Sequence, residues 1–141
     1  MGLFGKKKEV YNGAEILERY DQGKLSADDF IREFGKVQVY YSTAYGDFDD
    51  GRTGLFLLPG PNGTGYYPVF SSEKYMKEFF EKSKRSRYMI LENTFSSFLS
   101  IVKKTNDGGA PVKMGAVIDP GYSGITIDLP FLEMAVRLSK E

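Results

Sequence analysis

The sequence predicts a single α+β domain: a mixed β-sheet of about five to six strands with helices packed on it. Three observations carry this. The chain has 141 residues, the size of one domain. Helical periodicity and β alternation are interspersed without strict strand–helix–strand repetition, in the order ααβββαβαββα. Its 11 Phe and 10 Tyr supply a large aromatic core without any disulfide, because there is no Cys.

Each element has a local cause. Ile16, Leu17 and Tyr20 share a helical face over residues 14–20, and Asp21-Gln22-Gly23 ends it. Ser26 caps a second helix with Asp28 and Asp29 in its first turn, where the helix dipole favours anions. Phe30, Ile31 and Phe34 form its apolar face, and Gly35 is the stop. Val37, Val39 and Tyr41 alternate with Gln38, Tyr40 and Ser42, which predicts a half-buried strand. The apolar run Leu55-Phe56-Leu57-Leu58 predicts a central strand. Residues 60–65 are a Gly/Pro/Asn turn, and residues 66–70 return as its hairpin partner. Pro68 lacks an N–H, which predicts an edge or an irregularity there.

Ser71 or Ser72 caps the next helix, whose face is Tyr75, Met76, Phe79 and Phe80. Residues 88–91 read as a short strand. Asn93 or Thr94 starts a helix carrying Phe95, Phe98, Leu99 and Val102, and residues 106–109 are a loop. Residues 116–118 and the Ile125/Ile127 pair are strands around an Asp119-Pro120-Gly121 turn. Asp128 is an N-cap candidate for a last helix with Pro130 in its first turn and Phe131, Leu132, Ala135 and Leu138 facing inward. Residues 1–11 are expected to be a flexible N-terminal tail, and residues 12–141 the domain.

Composition excludes several functions. With no Cys and no His, thiolate, imidazole-base and ordinary zinc chemistry are absent. Nineteen basic residues balance nineteen acidic ones, so nothing draws the chain generally to nucleic acid or anionic membrane. No apolar run follows Lys6-Lys7-Lys8, so no signal peptide is expected, and no stretch of about 18 apolar residues exists to span a bilayer. Lys6 stands where a myristoylation motif needs Ser or Thr. A Cys-free chain fits a reducing cytoplasm.

The candidate chemistry is sparse. Tyr45-Gly46-Asp47-Phe48-Asp49-Asp50-Gly51-Arg52 is the densest polar patch and reads as a hairpin loop. A calcium loop starting at Asp47 would need an acid where Gly51 stands and Glu where Leu58 stands. Glycines 60, 63 and 65 form no phosphate cradle, since Pro68 occupies the third glycine position. The basic run over 82–87 complements a helix C-terminus. Asp119 reads as a turn residue before Pro120 rather than a general base. Surplus aromatics beside acids point to a protein-binding surface, assigned to Tyr40, Tyr45, Asp47, Phe48, Asp49, Asp50 and Tyr67. No cofactor, metal or nucleic acid is expected; the partner is another protein or a second copy.

Several strings resemble one family. Val69-Phe70-Ser71-Ser72-Glu73 is similar to the strand-to-helix junction of the SseB protein N-terminal domain, a family named for enhanced serine sensitivity. The helix-to-strand passage from Phe34 to Tyr41 and the Leu-rich strand before the hairpin fit the same pattern. Val117-Ile118-Asp119-Pro120-Gly121 with residues 125–130 resembles the family's ending, with Asp119 where Asn is usual. The resemblance covers about four-fifths of the chain, and its motifs are loose. It implies a small cytosolic α+β domain and brings no catalytic residues. The expected function is therefore a non-catalytic interaction or regulatory module. Two alternatives stand beside it: a small-ligand binder or enzyme using Asp, Tyr or Lys, and an immunity-type inhibitor of a toxin.

Overall fold

The computed structural model describes residues 12–48, 50, 51 and 53–141. The tail expected over 1–11 lies outside them, as do Asp49 and Arg52.

Five helices occupy the described residues: α1 Gly13–Asp21, α2 Ala27–Phe34, α3 Glu73–Lys82, α4 Phe95–Asp107 and α5 Leu129–Ser139. Four start on a side-chain oxygen that accepts an otherwise unpaired first-turn N–H. Asn12 Oδ1 accepts from Ala14 at 3.0 Å, Ser26 Oγ from Asp29 at 3.1 Å, Ser72 Oγ from Tyr75 at 3.1 Å and Thr94 Oγ1 from Ser97 at 3.2 Å. Ser72 and Thr94, not Ser71 and Asn93, are thus the caps. Helix α4 runs through Asn106 and Asp107, so the loop expected at 106 begins at Gly108. The buried Asn106 amide holds both backbone groups of Met114, at 2.8 and 2.9 Å, tying the end of α4 to the next strand.

The fold is α+β with a mixed sheet, as the sequence predicts. That sheet has four strands, fewer than the expected five to six, in the order β4 (Leu58–Pro59), β5 (Gly65–Val69), β8 (Met114–Ile118), β9 (Ile125–Ile127). β5 and β8 are parallel, and both outer pairings are antiparallel. An antiparallel ladder of β1 (Gln38–Tyr41) and β7 (Leu91–Thr94) continues beside it. Reciprocal 2.8 Å backbone bonds between Tyr40 and Phe70 join the two. A ribbon of β3 (Thr53–Leu55), β2 (Tyr45–Phe48) and β6 (Arg85–Arg87) lies outside them.

Two expected strands are corrected. The run 55–58 is not one central strand: β3 ends at Leu55 and β4 begins at Leu58. The two residues between serve different cores, Phe56 the smaller cluster and Leu57 the main one. That division, not burial on two faces of one strand, makes the run continuously apolar. The strand expected over 88–91 starts only at Leu91, while β6, in the basic run, went unpredicted.

Pro68 sits where its missing N–H costs nothing. Gly65 and Val69 turn their polar groups to the β8 side: Gly65 N–H donates to Lys113 O at 3.0 Å, and Val69 O accepts from Asp119 at 2.8 Å. Tyr66, Pro68 and Phe70 turn the other way. There β4 pairs only as far as Tyr66, and β1 is met only at Phe70, so Pro68 faces a gap in the ladder.

The sheet separates two apolar layers. Helices α1, α2, α4 and α5 contribute Ile16, Phe30, Phe34, Phe98, Val102 and Leu132 to the main core against Val39, Val69 and Ile118. Helix α3 covers a smaller cluster of Phe56, Phe70, Met76 and Phe80. Gly115 marks the tightest approach in the sheet: a Cβ there would lie 2.3 Å from the Ile127 carbonyl oxygen. Among the described residues no helix is long and apolar enough to cross a membrane.

Candidate functional site

The structure spreads the expected surface over three environments. Tyr67 is corrected outright. Its residue is 6% exposed, its ring meets Tyr41 and Phe98 edge-on, and its hydroxyl donates to the Ser42 carbonyl at 2.5 Å. Burial pushes its pKa up to about 12. It presents no surface to a partner. Tyr40 is half-buried against the α3 cluster. Tyr45, Asp47 and Phe48 belong to β2, a strand rather than the expected loop, with Tyr45 opposite Leu55 and Asp47 opposite Thr53 and Arg87. Asp50 is exposed at the hairpin turn beside Gly51, whose φ of +88° suits glycine. Asp49 lies outside the described residues.

The ribbon carrying these residues is anchored by a buried cation. Arg85 is 4% exposed. Its guanidinium carbon lies 4.8 Å from the Phe80 ring centre, 5.1 Å from that of Phe56 and 5.9 Å from that of Tyr88. It also donates to the Thr43 carbonyl at 3.0 Å. A desolvated cation over aromatic faces contributes about 2 kcal/mol. The basic run 82–87 does more than complement a helix C-terminus: Arg85 points inward and fixes β6, hence β2, to the body.

Beyond β6 lies a feature that periodicity misassigned. Met89 is 60% exposed and Ile90 41%. They occupy the connection from β6, which pairs with β2, to β7, which pairs with β1. The two residues thus adjoin the strands carrying Tyr45–Phe48 and Tyr40. The run Tyr88-Met89-Ile90-Leu91 was the signal, but its apolar character reads as strand when sequence alone is considered.

Asp119 is a turn residue, as expected, but also a buried link. It is 1% exposed with φ +50°. Its carboxylate accepts the Ser71 N–H at 2.8 Å and the Ser71 hydroxyl at 2.7 Å, clamping the end of β8 to the β5–α3 junction. Its carbonyl accepts the Tyr122 and Gly124 N–H groups, at 2.9 and 3.2 Å. Tyr122 stacks on Tyr75 at 4.1 Å and donates its hydroxyl to Glu78.

Burial raises the Asp119 pKa, and the two Ser71 bonds oppose this only in part. The sign follows. A carboxyl raised in the folded state contributes stability present below its unfolded pKa, and that contribution is lost as pH rises through its folded value. Asn in its place accepts the same N–H, donates to Ser71 Oγ and tolerates a left-handed φ. Asp119→Asn is expected to melt about 3 °C higher at pH 8. The gap should close as pH falls into the carboxylate range. Paired thermal melts from pH 4 to 8 check this; an Asn variant several degrees less stable at pH 8 contradicts it.

Among the described residues, three cavities lie at the end of the sheet where β5 and β8 begin. One of about 290 Å³ lies between the β4–β5 turn and the start of α5, with Tyr66 and Asp128 on its wall. An apolar one of about 330 Å³ is bounded by Ala44, Leu55 and the 108–112 loop. One of about 310 Å³ lies among Lys103, Asp107, Lys113 and Glu133. In the last, Lys103 pairs with Asp107 at 2.7 Å and Lys113 donates to the Asn106 carbonyl at 2.7 Å. Among the described residues no group of three or more acidic, His or Cys side chains is arranged to hold a metal. The chain matches no family model, no curated protein and no solved structure.

Proposed function

We propose that the chain is a non-catalytic protein-interaction module of SseB-like type, whose working surface is the β2–β3 ribbon together with Met89 and Ile90. The observation that carries this reading is the exposure of those two large apolar side chains beside the strands that bear Tyr40, Tyr45 and Phe48. Large apolar side chains left exposed on a folded domain, Met among them, are enriched at the centres of protein interfaces. The buried polar groups favour the same reading, because Asp119, Asn106 and Arg85 each hold a turn or strand in place. The partner is a second protein or a second copy, an immunity-type target falling within that class. A cytoplasmic location belongs to the proposal and rests on the Cys-free composition.

A photo-crosslinking amino acid at Met89, irradiated in the cell of origin, tests the reading. The expected result is one discrete adduct at position 89 and none at Lys24, an exposed control in the α1–α2 turn. Equal adducts at both positions, or none at 89, argue against it. A ligand-binding reading has its own support in the three cavities, all near the lower end of the roughly 300–1,000 Å³ typical of ligand sites.

A further inference from the structure

We infer that the cleft between the β4–β5 turn and the start of α5 binds an alkylammonium group, with the Asp128 carboxylate as its counter-ion. The inference stands apart from the protein-interaction reading and uses none of the same residues.

The cleft of about 290 Å³ has preorganised walls. In the turn, Gly60 N–H donates to Thr64 O at 2.9 Å, Thr64 N–H to Pro61 O at 3.0 Å and the Thr64 hydroxyl to the same carbonyl at 2.6 Å. Gly115 contributes bare backbone to the lining, since the approach of Ile127 leaves no room for a side chain. Pro61, Leu129 and Pro130 are the apolar walls, and Tyr66 and Asp128 stand among them.

Asp128 occupies the N-cap position of α5 but makes no side-chain cap bond. Its Oδ1 accepts the Tyr66 hydroxyl at 2.5 Å instead. Oδ2 has no hydrogen-bond partner among the described residues. The result is a carboxylate fixed by a phenol at the edge of an apolar cleft.

A helix N-terminus ordinarily attracts anions. Here two of the first-turn donors an anion would use are lost. Pro130 has no N–H, and the Phe131 N–H already donates to the Asp128 carbonyl at 2.9 Å. The Asp128 carboxylate also repels a second anion. An ammonium donates to that carboxylate in a charge-assisted bond and lies beside an aromatic ring, while its alkyl chain covers Pro61 and Leu129. Free amines and lysine side chains share this chemistry.

The test is a titration of the ¹⁵N-labelled full chain with n-butylammonium chloride at constant ionic strength, read by amide shifts. Saturable shifts are expected at Thr64, Gly115 and Leu129, with n-butanol weaker by roughly fivefold and butyrate not saturating. Asp128→Ser removes the charge and leaves a small polar side chain at the N-cap position, and is expected to weaken binding roughly tenfold, with Tyr66→Phe losing less. A blocked lysine amide forms a parallel arm, and the tighter of the two probes assigns the source. Absence of saturable shifts at those amides, equal binding of n-butanol, or an unchanged Asp128→Ser overturns the inference. The comparison of n-butylammonium with n-butanol on the unaltered chain decides even if a variant fails to fold.

Discussion

Phe70→Ala is expected to lower the free energy of unfolding by about 3–5 kcal/mol. The ring is fully buried and meets Phe79 and Phe80, each at 5.7 Å between centres. Its backbone is the link between the four-stranded sheet and the β1–β7 ladder. Its cluster is small, with Phe56, Met76 and Phe80 as the other buried members. Collapse into the vacated space is opposed on two sides: Arg85 pins β6 against Phe56 and Phe80, and the Ser72 cap fixes the start of α3. The loss therefore belongs toward the upper part of that range. Against a total stability of about 5–15 kcal/mol, the variant sits near the threshold of folding. Urea unfolding checks this, and Phe70→Leu, which refills most of the volume, should recover much of the loss. An unchanged midpoint for Phe70→Ala contradicts the second core.

The helices were legible because their signals are local. Ser26, Ser72 and Thr94 each stand at the residue before a helix and bond an N–H three residues on. The strands were legible where one face is buried more deeply than the other, as in residues 38–41, where Val39 and Tyr41 are buried in the main core while Gln38 is exposed and Tyr40 half-buried. Legibility failed where tertiary partners decide. Residues 55–58 are apolar for two unrelated cores. Arg85, read with its basic neighbours as complementing a helix C-terminus, is buried because three rings surround a position that pairing with β2 places in the interior.

The candidate site was less legible than the fold. Tyr40 and Tyr67 both sit on strands, as expected, but sequence does not say which layer covers which face. Tyr67 falls beneath α4, against Phe98, and is lost to the surface. Met89 and Ile90 look like any buried strand until β7 is seen to start after them. Asp128 has the position of a cap, and only the return of β5 beside it shows that Tyr66 has taken its carboxylate.

The central claim is that Met89 and Ile90 belong to a binding surface and not to the core. Its most direct measurement is partner association of the double variant Met89→Lys with Ile90→Lys, set beside its melting curve. Aromatic and large apolar anchors typically cost about 2 kcal/mol or more each when removed from a hot spot, which is more than tenfold in affinity. Two charges in that position should abolish association with the partner trapped at Met89, or with a second copy. The melting curve should shift by no more than a few degrees, because neither side chain is buried in either core. Association at the unaltered affinity, or a variant that unfolds, would contradict the account.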